Sequence, residues 1–131
     1  MTETTLEKHM AIVAKIAAKF VSDGLMTHDI DSRGSEKFLG EPIEGPVFDA
    51  ALGWMINEGI IRVRNVSRAG SATFLVGAQL SSRGIAMVKT STEGVSIETK
   101  MQKAETGADW SKIGDLIGGF TGGLLKSTSG G

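Results

Sequence analysis

Cysteine does not occur anywhere in the 131-residue chain. That one absence removes disulfide staples, thiolate metal sites and cysteine nucleophiles together, and it fits a reducing compartment. Aromatic residues are sparse, at 5%, so the core has to be assembled from Ile, Leu, Val, Met and Ala. Charge of one sign is not in excess either: 14 basic side chains face 15 acidic ones, a formal net charge of -1. No global field therefore attracts phosphate backbones, and a nucleic-acid role would require a local patch. Runs of about 18 apolar residues, which a membrane-spanning helix needs, are lacking. The opening MTETTLEKHM is acidic and polar, and Lys15 and Lys19 interrupt the apolar stretch behind it, so it does not read as a secretory signal. Together these absences make a cytoplasmic protein the expectation.

What is present suits a folded domain. Hydrophobic residues make up 40% and charged residues 22% of the chain, ordinary proportions that argue against wholesale disorder. The length leaves room for one domain with a modest core and a terminal extension.

Thr4 followed by Glu7 has capping-box spacing, and Leu6, Met10, Val13, Ala17 and Phe20 then fall on one helical face beside Ile12 and Ile16. This predicts a helix over about 5–22, stopping near Gly24. The stretch MTHDIDSRGSEKFLGEPIEG carries turn formers and the first of two X-Pro pairs, so it predicts loop with a short helix around Ser35–Leu39. Pro46 suits the first turn of a second long helix, where its missing N–H is not needed. That helix buries Phe48, Ala51, Leu52, Met55 and Ile56 and stops at Gly59. IIRVRNV and ATFLVGAQL alternate with period two around the turn-rich SRAGS, the pattern of a β-hairpin. SSRGIAMV opens a further helix, with Ser81 or Ser82 as its cap. Residues 89–108 are polar and poorly periodic, and read as a linker with a weak strand or helix inside it.

Helix, loop, helix and hairpin follow one another in the order of a winged helix-turn-helix. ALGWMINEGIIRVR resembles the end of the recognition helix and the first wing strand of that family, and FLVGAQLSSRG is similar to the second wing strand and its continuation. The resemblance covers about residues 5–88. It implies an α+β fold: a small winged-helix-like domain over 1–88, followed by the linker and a C-terminal glycine-rich amphipathic helix and tail over 109–131. In family members that read DNA, the N-terminal half of the second long helix offers Arg, Lys, Asn or Gln to base edges. Here it offers Glu41, Glu44 and Asp49, then Ala50, Gly53, Trp54 and Asn57. The only basic group suited to a phosphate backbone is Arg62, Arg64 and Arg68 on the hairpin, joined by Arg83. DNA contact is therefore the secondary expectation.

Chemistry-bearing patterns are few. DIDSRGSEKFLG opens like a calcium loop at Asp29, Asp31 and Gly34, but Arg33 and Gly40 stand where two oxygen ligands are required. An Asx-type turn accounts for these residues more simply. His9 and His28 have no spaced partner for a metal or a catalytic dyad. The chain is accordingly expected to be no enzyme and to carry no cofactor and no metal. Trp54 lies at the border of its helix's apolar stripe, either partly in the core or as an aromatic anchor for a partner.

The last segment, IGDLIGGFTGGLLKSTSGG, separates into two faces when turned by about 100° per residue. Ile113, Leu116, Ile117, Phe120 and Leu124 form one stripe, with Trp110 at its edge and Asp109 as the expected N-cap. Gly114, Gly118 and Gly122 line up on the other side. With Gly119 and Gly123 the five glycines disfavour a helix in water by roughly 4–5 kcal/mol, whereas burying five large apolar side chains returns about 1.5–3 kcal/mol each. The segment should be helical only when docked. The small-xxx-small row favours docking on another helix, in this chain or in a second copy. A membrane surface ranks lower, since only Lys112 and Lys126 could meet anionic headgroups. The expected function is a non-catalytic interaction or regulatory module that binds a protein partner, a second copy included, through Trp54, Trp110 and the C-terminal stripe.

Overall fold

The computed structural model describes residues 4–122, and the fold is α+β. Helix α1 (Thr5–Asp23) starts at a complete capping box, in which the Thr4 hydroxyl accepts from the Glu7 N–H and the Glu7 carboxylate accepts from the Thr4 N–H. Its buried face is Val13, Ala14, Ile16, Ala17 and Phe20. Leu6, expected on that stripe, is 69% exposed, because it precedes the part of α1 that other elements cover.

Strand β1 (His28–Asp31) and the short helix α2 (Ser35–Leu39) follow, then α3 (Gly45–Asn57) with Pro46 in its first turn and Phe48, Ala51, Leu52 and Met55 buried. The hairpin comprises β2 (Ile61–Arg62), β3 (Asn65–Ala69) and the long β4 (Ala72–Leu80). β4 is the centre of an antiparallel sheet, with β1 on one side and β2 and β3 on the other. β1 was not foreseen from the sequence: its four residues are mostly polar, and only Ile30 is buried. Pairing with β4 makes it a strand, and Ser32 extends the register, its N–H donating to the Thr73 carbonyl and its hydroxyl accepting from the Thr73 N–H. Asp31 makes the Asx turn: Oδ1 accepts from the Arg33 N–H at 2.9 Å, and Arg33 closes a two-pronged pair on the same carboxylate.

Helix α4 (Ser82–Lys89) is capped by Ser81, whose hydroxyl accepts from the Gly84 N–H and contacts the Gly59 and Ile60 carbonyls. The segment expected as a linker holds two strands and a helix: β5 (Ser91–Thr92), β6 (Val95–Ser96) and α5 (Ile97–Lys103). Ile97 and Met101, four residues apart, are buried in the common core. This amphipathic signal is only two residues wide, so it is hard to see among lysines and glutamates.

Helix α6 (Gly107–Thr121) closes the structure, and its packing on α1 is the most extensive between any two elements. Thr106, not Asp109, is its N-cap. Asp109 takes the third position of a second capping box, accepting from the Glu105 and Thr106 N–H groups. Leu124, Gly123 and Lys126 lie outside the described residues. No helix among those described is long and apolar enough to cross a membrane.

Candidate protein-binding face

Helices α1 and α6 run antiparallel, with Gly114 against Met10 at one end and Trp110 beside Lys15 and Ala18 at the other. Close approach is possible because the facing positions are small: Ala14 and Ala17 on α1 are fully buried, and Gly114 on α6 has no side chain to hold the helices apart. A Cβ placed on Gly114 would abut the Met10 carbonyl oxygen and stand 2.6 Å from its carbonyl carbon, nearer than atoms approach. The small-xxx-small row predicts docking on another helix, in this chain or in a second copy; Gly114 makes that approach to α1 of the same chain, and the apolar stripe wraps the same contact from its flank, with Ile113 and Ile117 buried in the core.

This placement decides what α6 can offer. Ile113 and Ile117, expected as partner contacts, are 3% and 0% exposed and belong to the chain's own interior. Trp110, Leu116 and Phe120 are half-buried and pack on the core from its edge. Trp54 is likewise half-buried, so its ring contributes to the core and also reaches the surface. It borders a groove of about 310 Å³ where α3, the start of α1 and α6 meet, lined by Leu6, Glu7, Met10, Gly114, Asp115 and Gly118. The missing side chain at Gly118 keeps the groove open down to the Met10 methyl group, 3.5 Å from a Cβ built there. Leu6 and Met10 looked like core residues in the sequence; burial of neighbouring elements, not periodicity, makes them groove residues.

Arg83 fastens the far end of α6. Its Nε donates to the Glu58 carbonyl at 3.0 Å, a terminal N–H reaches the Thr121 carbonyl at 3.5 Å, and the guanidinium lies 5.0 Å from the Phe120 ring centre. One cation thus serves the C-terminal carbonyls of α3 and α6, where helix dipoles favour positive charge. Of the four arginines considered for nucleic acid, Arg83 is committed to this internal clamp. Arg68 leans back toward α3, 3.9 Å from Asp49, and donates to the Thr73 hydroxyl. Arg62 and Arg64 are exposed on the hairpin.

Hydrogen bonds also set the charge state of several carboxylates. The Glu105 and then the Thr106 N–H hold Asp109 below the usual carboxylate range. Glu7 is lowered by the Thr4 N–H in the same way. Asp23 is lowered first by its bond with Lys19, 3.2 Å away, and also by His28, whose Nε2 lies 2.9 Å from the same carboxylate. The His28 ring packs edge-on against Phe20 and Phe38. Asp29, from the calcium-like stretch, accepts from the Gly77 N–H at the irregular point of the β1–β4 pairing. Among the described residues, no three His, Asp or Glu side chains converge to hold a metal ion.

Compared with models of protein families, with curated proteins and with solved structures, the chain matches none.

Proposed function

We propose that the protein is a non-catalytic, winged-helix-like interaction module that binds protein, a second copy of itself included, through the face where α3, α1 and α6 meet. The observation that carries this reading is the open groove beside Trp54, with Leu6 69% exposed at its mouth. Tryptophan on the border of an apolar groove is the residue type most often found at the energetic centre of an interface. The winged-helix part of the reading is supported by the order α1, β1, α2, α3, hairpin and by the sheet order β1-β4-β2. Gly118 supports the rest, because its missing side chain leaves the groove open to a partner's side chain.

Light scattering on the full chain tests it, at concentrations from about 1 μM to 1 mM, which span moderate to weak self-association. The expected result is a dimer whose mass falls to that of the monomer in Trp54→Lys and in Leu6→Lys. A monomer throughout that range overturns self-association.

A second reading, a regulator contacting DNA backbone through the wing, is favoured by the exposure of Arg62 and Arg64. It expects duplex binding that weakens steeply with salt and is lost in Arg62→Ala/Arg64→Ala/Arg68→Ala. Failure to bind any duplex at low salt counts decisively against it.

A further inference from the structure

On the opposite side of α6 from the Trp54 groove, β6, α5 and the first half of α6 border a second, open concavity of about 250 Å³. Its apolar wall is Val95, Ala104, Ile113 and Leu116, and Lys100, Lys103 and Lys112 stand around it. Of the five described lysines elsewhere, three are paired: Lys15 with Glu41, Lys19 with Asp23 and Lys89 with Glu98. Among the described residues, none of the three around this concavity stands within 4 Å of a carboxylate. The one acidic side chain in the wall, Asp109, is tied to the Glu105 and Thr106 N–H groups as the α6 cap and also feels the charge of Lys112. Three cations therefore surround an apolar hollow with one capped anion, an excess of two positive charges.

The hollow has the volume of about eight water molecules at ~30 Å³ each, enough for a short hydrocarbon chain and too small for a folded peptide element. Apolar walls with a few placed polar groups are the usual make-up of a small-molecule site. A neutral apolar ligand would leave the lysines unused, and a small polar anion would leave the walls wet.

The geometry points to a binding site for a small anionic amphiphile, specifically a medium-chain carboxylate, with the chain against Val95, Ala104, Ile113 and Leu116 and the carboxylate among Lys100, Lys103 and Lys112. This site is independent of the protein-binding face and of the reading attached to it.

The full chain is titrated with sodium octanoate at constant ionic strength, and backbone amide shifts are followed by NMR. 1-Octanol, with the same chain and no charge, and acetate, with the charge and no chain, are titrated in parallel. Saturable octanoate binding with a Kd below about 1 mM is expected, with shifts centred on Val95, Ala104 and Ile113 and with both controls at least tenfold weaker. Lys100→Gln/Lys112→Gln should lose at least tenfold, Lys100→Arg/Lys112→Arg should regain most of it, and Lys37→Gln, on α2, should change nothing. Equal binding of octanoate and 1-octanol overturns the proposal, as does an unaltered affinity in the glutamine variant. Shifts centred elsewhere, or no saturation, also overturn it. So does binding to anionic phosphatidylglycerol vesicles in place of free octanoate, which would make the lysines a membrane-facing patch.

Discussion

The seam between α1 and α6 and the hairpin of β3 and β4 use the same residue, glycine, for opposite ends. At the seam Gly114 lets two backbones touch, and nearby Ile113 and Ile117 disappear into the core. At the hairpin tip Gly70 has nothing within 4 Å of where its Cβ would be, but it takes φ 63°, the left-handed conformation its turn demands. All of β3 is exposed, whereas β4 beside it is mostly buried. One region is held by exclusion of side chains and water, the other by local backbone geometry and a ladder of hydrogen bonds. Stability therefore belongs largely to the seam, while the hairpin is free to vary.

Removing α6 tests this contrast most severely. A chain ending at Ala108 loses burial of Ile113 and Ile117, about 3–6 kcal/mol together, which is a large part of the 5–15 kcal/mol typical of a domain. Urea unfolding should lose its cooperative transition or shift to much lower urea, with an apolar dye now binding the uncovered α1. An unchanged midpoint would mean that α6 is an accessory and the seam is not a core.

Alanine distinguishes the two uses of glycine. Gly114→Ala should destabilise by about 1–3 kcal/mol, as overpacking does, although alanine is the better helix former. Gly53→Ala, on α3 with open space around it, should instead stabilise by about 0.5–1 kcal/mol. Chemical denaturation of the pair checks this, and the same sign for both would contradict the close approach at Met10. At the tip, Gly70→Ala should cost about 1–2 kcal/mol through its positive φ. Val66→Thr, on the exposed strand, should stay within about 0.5 kcal/mol of the parent, and a larger change would show the hairpin to be packed.

The smallest expected effect concerns the α6 cap. Asp109 has a folded pKa below its unfolded value, so its contribution is complete above about pH 4 and is lost as pH falls through the folded value. Asp109→Asn should melt lower than the parent at neutral pH, and the difference should shrink in acid. A difference independent of pH would assign the effect to something other than the carboxylate.

What the sequence determined by itself was the local structure with chemistry of its own. Thr4 with Glu7, Pro46 in the first turn of α3, Ser81 before α4 and the Gly70 turn each satisfy or free backbone groups within a few residues, and such signals can be read without knowing the fold. Tertiary structure decided the rest. HDID became β1 because β4 supplied its hydrogen-bond partners, and residues 89–108 acquired α5 because the core had room for Ile97 and Met101. The candidate face was half legible: Trp54 and the helix-docking use of the glycine row stood out, but Leu6 and Met10 as groove residues did not. Periodicity divides a helix into faces, and only the arrival of a second helix from a hundred residues away determines which face is covered.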